Sequence, residues 1–303
     1  MQTQFVALAL LCAALPCAAQ QGNLSDWPKL IKNKDADGAR TLCTPFEDSK
    51  VLSEQVEAEK CLANVALMGA DAVRTEKEEN GQFVIFDEYI PEAVDESLRH
   101  LNRGLQLAPQ DLSIHQGRLH VLEISRRYSA MARALDESCT IYQGKEVPKV
   151  WLDYPSELSD RQQYEAALEL TRVLDRHYPN NSDIIANTGA FLIMEGKLAD
   201  AVPYLQKAVE LAPNDSINAW DLGRVYDYLD RDSLADQWYQ KALGLDTDLE
   251  ERKHEWCVYA GFIEVKLKDR ARACALEKQN CPADQQPACA PPANSPSSPP
   301  KSQ

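Results

Sequence analysis

The feature that most constrains this chain is a self-similarity at a step of 34 residues. Advancing the stretch ADAVPYLQKAVELAPND, Ala199 to Asp215, by that step places Ala201 on Ala235, Leu205 on Tyr239 and Ala208 on Ala242. Just upstream, Gly189 falls on Gly223 and Leu192 on Tyr226. The same step backward carries Ala201 to Ala167, Pro213 to Pro179 and Ile185 to Trp151. This period is the signature of a helix–turn–helix array, in which each unit buries its apolar face only against its neighbours.

The spacing has a steric logic. Gly189 with Ala201, and Gly223 with Ala235, put no bulky side chain where two antiparallel helices cross, while Leu205 and Tyr239 fill the gap toward the next unit. Pro213 has no N–H and disfavours helix in the residue before it, so it marks a break between units. Pro203 is read as lying early in its helix, where the missing donor costs least. Elsewhere helix formers dominate and apolar residues recur at three- and four-residue spacing, as in EAALELTRVL and ALMGADAV. The one good strand candidate is GQFVIF, Gly81 to Phe86, which predicts a short hairpin or loop near residue 80.

These residues make the chain resemble the tetratricopeptide repeat (TPR) family. INAWDLGRVYDYLDRDSLADQWYQKALGLD, Ile217 to Asp246, is similar to the family pattern, with Leu222, Gly223 and Tyr226 on a first helix and Ala235, Tyr239 and Ala242 on a second. DIIANTGAFLIMEGKLADAVPYLQKAVELAP matches nearly as well, with Gly196 at the turn. The resemblance implies an all-α fold, an α-solenoid of antiparallel helix hairpins. The best repeats are 182–215 and 216–249, within an array over 148–281 that ends in a capping hairpin, 254–281. Residues 51–147 are read as degenerate copies, 20–50 as an irregular N-terminal segment and 282–303 as a disordered proline-rich tail. In the copy around Trp151 and Ala167, Pro155 is expected to interrupt the first helix.

The first nineteen residues contain no charged side chain, and an apolar run from Phe5 to Leu15 ends in small residues. This predicts a signal peptide cleaved after Ala19 and a secreted or periplasmic protein. Cys12 and Cys17 follow no lipoprotein box. The net charge of −15 argues against nucleic acid and anionic membranes as partners, since either requires a basic face. Beyond the leader, Cys43, Cys61, Cys139, Cys257, Cys274, Cys281 and Cys289 remain, an odd number that leaves at least one over. Cys257 and Cys281 lie on opposite helices of the last hairpin and are expected to staple it. Cys274 with Cys289, and Cys43 with Cys61, are further pairings without geometric support, and buried thiols are the alternative.

No catalytic constellation stands out: GxSxG, Walker A, GxGxxG and HExxH are all missing, and the five histidines are scattered. The expectation is a non-enzymatic chain with no cofactor, no metal and no membrane span. Its competitor is an accessory subunit or enzyme with its site in the N-terminal region. In TPR proteins a concave groove lined by the first helices receives a peptide or partner helix. Carried over position by position, the resemblance implies groove residues Asp183, Ala186, Asn187, Ala190 and Met194 from one hairpin. The next supplies Trp220, Asp221, Arg224, Asp227 and Tyr228. Trp220 stands two residues before Leu222 where the family's tryptophan stands three before. That displacement, about 100° of helix, turns the ring toward the groove; the alternative is a tryptophan wedged between adjacent first helices. Three aspartates in this set imply a protein or peptide partner with exposed Lys or Arg.

Overall fold

The structure, a computed structural model, describes residues 23–68, 73–79, 82–245, 253–282 and 286–289. The predicted leader, with Cys12 and Cys17, and the tail beyond Cys289 lie outside the described residues. The chain divides into two units, residues 1–145 and 146–303.

The first unit runs α1 (Trp27–Lys32), α2 (Ala36–Cys43), α3 (Leu52–Met68), β1 (Val73–Glu79), β2 (Gln82–Glu88), α4 (Pro91–Leu107), α5 (Leu112–Ile124) and α6 (Tyr128–Ile141). Two expectations are corrected here. Residues 20–50, read as irregular, contain α1, α2 and a 3₁₀ turn at Thr44–Phe46. Leu24, Ala39 and Cys43 from this segment share a core with Cys61, Leu62 and Val65 of α3, and a Cys43–Cys61 disulfide joins them at a Cα separation of 6.3 Å. Short helices too weak to show as a periodic pattern are stabilised there by burial and a covalent link. Helix is also read through ALMGADAV, yet α3 ends at Met68 and Val73 opens a strand.

The strand expected at 81–86 is β2, and it pairs antiparallel with β1, from Val73↔Glu88 to Glu79↔Gln82. β1, VRTEKEE, is composed mostly of helix-favouring charged residues; pairing with β2 decides its conformation. The hairpin lies in the connection between α3 and α4, whose Val56, Ala63, Val94 and Leu101 still share one core with Ile114 and Val121 of α5.

The second unit runs α7 (Lys149–Asp160), α8 (Tyr164–His177), α9 (Ser182–Met194), α10 (Leu198–Leu211), α11 (Ser216–Tyr228), α12 (Asp232–Leu245), α13 (Lys253–Val265) and α14 (Arg270–Asn280). They form four successive antiparallel hairpins. Each turn places one residue in the left-handed region: Gln162 (φ 61°), Gly196 (φ 76°), Asp230 (φ 54°) and Lys268 (φ 59°). The first three are 34 residues apart in sequence. In these three the next N–H reaches back to the preceding helix, Gln163 to Leu158, Lys197 to Leu192 and Arg231 to Tyr226, at 2.8, 2.8 and 2.9 Å. These bonds satisfy carbonyls that a helix end otherwise orphans. Arg126 (φ 57°) does the same between α5 and α6. At the joints between hairpins, Asn181 and Asp215 cap α9 and α11, accepting from the N–H groups of Ile184 and Asn218 at 3.1 and 3.0 Å.

The small positions read from the sequence pack as expected, but Leu205 and Tyr239, expected to fill the gap toward the next unit, lie against the glycine of their own hairpin. Ala167, Ala201, Ala235, Leu205, Ala208 and Ala242 are fully buried, and Tyr239 is nearly so. A Cβ on Gly189 would stand 2.6 Å from Cγ of Leu205, and one on Gly223 would stand 2.7 Å from Cδ1 of Tyr239, so both glycines are required by close approach. Two prolines depart from expectation. Pro155 lies inside a continuous α7 rather than interrupting it, and Pro203 lies inside α10 rather than in its first turn. Each removes one backbone hydrogen bond, a cost that burial of the surrounding helix offsets.

The last hairpin is fixed differently. Cys257–Cys281 ties α13 to the end of α14, and Cys274–Cys289 ties α14 to a 3₁₀ turn at Pro287–Cys289, with Cα separations of 5.7 and 4.7 Å. Residues 286–289 were expected in a disordered tail. Instead the buried Glu277 accepts from the N–H groups of Ala288 and Cys289, both at 3.2 Å, and Arg270 Nε donates to the Ala288 carbonyl at 2.9 Å. Cys139 is the cysteine left over, a buried thiol outside the disulfides.

Candidate peptide-binding face

The predicted groove residues lie on α9 and α11, the first helices of the two central hairpins. On α9, Asp183 and Met194 are exposed, Asn187 and Ala190 are half-buried and Ala186 is buried. On α11, Tyr228 is exposed, Arg224 and Asp227 are half-buried, and Trp220 and Asp221 are buried. The set therefore splits into residues that solvent reaches and residues that packing has consumed.

Trp220 belongs to the second group. It is 7% exposed, and its ring centroid lies 4.6 Å from that of Tyr239, which in turn meets Phe262 of α13 at 5.4 Å. The one-residue displacement that was expected to turn the ring outward leaves it wedged in the aromatic layer between α11 and α12. The burial available there outweighs what exposure at a surface offers a side chain of this size.

The carboxylates are also less available than their number implies. Asp221 stands 3.2 Å from Arg224 Nη1 one helical turn away. Asp227 has Lys266 Nζ at 3.8 Å and accepts from the Tyr239 hydroxyl at 3.4 Å. Burial holds the Asp227 carboxyl above its ordinary value, and the Lys266 charge only partly offsets it. The same burial pushes the Tyr239 hydroxyl up, so it stays protonated and donating. Asp183, at the opposite end of the face, is exposed, and Ser182 is its neighbouring donor at 3.4 Å.

Sequence reasoning passed over one residue. Ile217, which aligns with Asp183 in the preceding repeat, is 65% exposed, more than Met194 or Tyr228, both 55%. The repeat step itself carries the signal, since Asp183 advanced by 34 is Ile217.

A cleft of about 430 Å³ opens elsewhere in this unit, between α8, α9 and α10, lined by Arg172, Thr188, Leu192, Lys197 and Tyr204 among others. It shares no residue with the predicted groove set.

Residues 189–215 and 219–249 match the family model described as tetratricopeptide repeat. None of the curated proteins compared with the chain matches it. Among solved structures, the C-terminal part of a TPR repeat-containing protein from Cytophaga hutchinsonii is 13% identical. That match covers 88% of this chain and 100% of that one, with a TM-score of 0.53. MamA from Desulfovibrio magneticus is 20% identical over 55% of this chain and 91% of its own, with a TM-score of 0.42. YrrB, described as a TPR protein with an unusual peptide-binding site, is 18% identical over 52% of this chain and 80% of its own, with a TM-score of 0.36. At these identities what is shared is the hairpin fold. No helix among the described residues is long and apolar enough to cross a membrane. Both central hairpins are thus similar to the tetratricopeptide repeat, and the hairpin fold recurs in the Cytophaga hutchinsonii structure.

Proposed function

We propose that the second unit is a non-enzymatic interaction scaffold that receives an amphipathic peptide or partner helix on the face carrying Met194, Ile217, Arg224 and Tyr228. One observation supports this most. Met194 and Tyr228 occupy the same place in consecutive repeats, and each leaves a large apolar side chain 55% exposed. Isolated apolar residues on a surface are ordinary, but a repeated position with an arginine between is the composition of an interface anchor.

The partner's chemistry follows from what is still unpaired. Asp221 and Asp227 already have Arg224 and Lys266 beside them, so Asp183 is the carboxylate that a basic residue would meet. The preferred partner is therefore an apolar stripe with a Lys or Arg at the Asp183 end, a narrower demand than three open aspartates.

The test is affinity capture with the wild-type chain, repeated with the double variant Met194→Ser/Tyr228→Ser and with Asp183→Asn. The double variant is expected to lower affinity by roughly tenfold or more, while its circular dichroism stays unchanged because both side chains are exposed. Asp183→Asn is expected to weaken binding in a salt-dependent way. Unchanged affinity in the double variant would remove this face from consideration.

A further inference from the structure

In the first unit, Glu47, Glu59 and His100 each offer one ligand atom, and these atoms lie within 4.8 Å of one another. The three residues come from three elements: Glu47 follows the 3₁₀ turn at Thr44–Phe46, Glu59 is on α3 and His100 is on α4. From this we propose a divalent transition-metal site, of the type that takes Zn²⁺, which uses two carboxylate oxygens and one imidazole nitrogen.

The site is built rather than incidental. The Glu59 side chain is completely buried, in a place where an ionised carboxylate needs strong compensation. Its Oε2 lies 2.7 Å from Nδ1 of His100. Its Oε1 receives no aligned hydrogen bond, although Arg103 Nε stands 2.9 Å away as an ion-pair partner. The fully buried oxygen is thus compensated by the charge of Arg103 without an aligned hydrogen bond, a place that another cation could take. Arg103 also reaches Glu47 Oε1 at 3.6 Å and Asp48 Oδ1 at 3.5 Å. Its side chain is 46% exposed, so the guanidinium can swing into water without disturbing the core. The Cys43–Cys61 disulfide holds the turn that bears Glu47 against α3, two residues from Glu59.

Arg103 therefore acts as the resident cation of a place lined by carboxylates. Glu47, Glu59 and Asp48 carry three negative charges against the one positive charge of Arg103, so a dication balances the group better than the guanidinium does. The imidazole selects among dications: Ca²⁺ and Mg²⁺ prefer oxygen ligands alone, whereas Zn²⁺ accepts nitrogen and oxygen at about 2.0–2.2 Å. Closing the ligand atoms onto such an ion requires Glu47 to move inward; it is the most exposed of the three and sits on a turn. His100 binds through Nδ1, the ring nitrogen that faces Glu59. Three protein ligands leave coordination positions open to water or to a donor from a bound partner.

The test is calorimetric titration of the full chain with Zn²⁺, then Ca²⁺, with thermal unfolding measured in EDTA and in Zn²⁺. Wild type is expected to bind one Zn²⁺ and to gain thermal stability, with Ca²⁺ doing neither. His100→Ala and Glu47→Gln are each expected to weaken Zn²⁺ binding by at least about tenfold while folding normally in EDTA. Arg103→Met should tighten it, because the competing cation is gone. Glu59→Gln risks misfolding, so the two more exposed ligands carry the decision. The site is overturned by absent Zn²⁺ binding at about 100 μM, by binding that His100→Ala leaves unchanged, or by Arg103→Met weakening it.

Discussion

The central hairpins α9–α10 and α11–α12 and the last hairpin α13–α14 each turn through one left-handed residue but are held together by different means. In the central pair, a glycine on the first helix receives a large side chain from the second: Leu205 against Gly189, and Tyr239 against Gly223. In the terminal hairpin a Cβ on Gly261 would meet nothing within 4 Å. There the position equivalent to Tyr239, sixteen residues after the glycine, is Glu277, a buried carboxylate turned to backbone N–H groups. Two disulfides supply what steric closure does not. The central hairpins are thus closed by apolar fit, and the last described hairpin by covalent and polar ties.

Tyr239 joins the two regimes, since its ring touches Trp220 as well as Tyr259 and Phe262 of α13. Tyr239→Ala should have the largest effect, a loss of about 3–5 kcal/mol in urea unfolding, with central and terminal hairpins losing cooperativity together. If amide exchange shows the terminal hairpin still protected, the joint lies elsewhere. Removing the staple with Cys257→Ser/Cys281→Ser should cost about 3 kcal/mol for a loop of this size. Amide exchange should localise that loss to α13 and α14.

The glycines then separate the two modes directly. Gly223→Ala should destabilise by about 1–3 kcal/mol, because the Tyr239 ring has nowhere to go. Gly261→Ala should stabilise by roughly 0.5–1 kcal/mol, the ordinary gain from replacing a glycine inside a helix. Equal effects at the two positions would end the distinction.

The smallest expected effect is pH-dependent. Asp236 of α12 accepts from the Tyr259 hydroxyl at 2.6 Å and from both terminal nitrogens of Arg272 at 2.9 and 3.2 Å. Burial alone would raise its carboxyl, and the bonds from Arg272 and Tyr259 more than reverse that, leaving it below its ordinary value of 3.8. A carboxyl depressed in the folded state contributes stability above pH 3.8, and that contribution disappears as pH falls through the depressed value. The stability difference between wild type and Arg272→Met should therefore be present at pH 6 and shrink below about pH 4.

The hairpins of 182–245 were legible because small and large residues at fixed positions report close packing, and packing repeats with the sequence. Turns were legible at Gly196, at the KLKD stretch of the last hairpin and, between units, at Pro213. Gln162, Asp230 and Lys268 adopt the same left-handed backbone without the residue that advertises it. The exposed Met194 and Tyr228 followed from the resemblance, but Trp220 did not. Its angular position on α11 was read correctly as unusual, while the partner that claims it, Tyr239, lies on the next helix. Glu47, Glu59 and His100 escaped notice because no spacing motif links residues that only tertiary structure brings together.

The hairpin of α3 and α4 keeps its shared core although the whole β1–β2 ribbon stands where other hairpins have a three- or four-residue turn. That connection is a natural cloning port. A fluorescent or affinity module spliced between Glu79 and Gln82 would enter beyond the last strand pair, leaving the shared core of α3 and α4 in place.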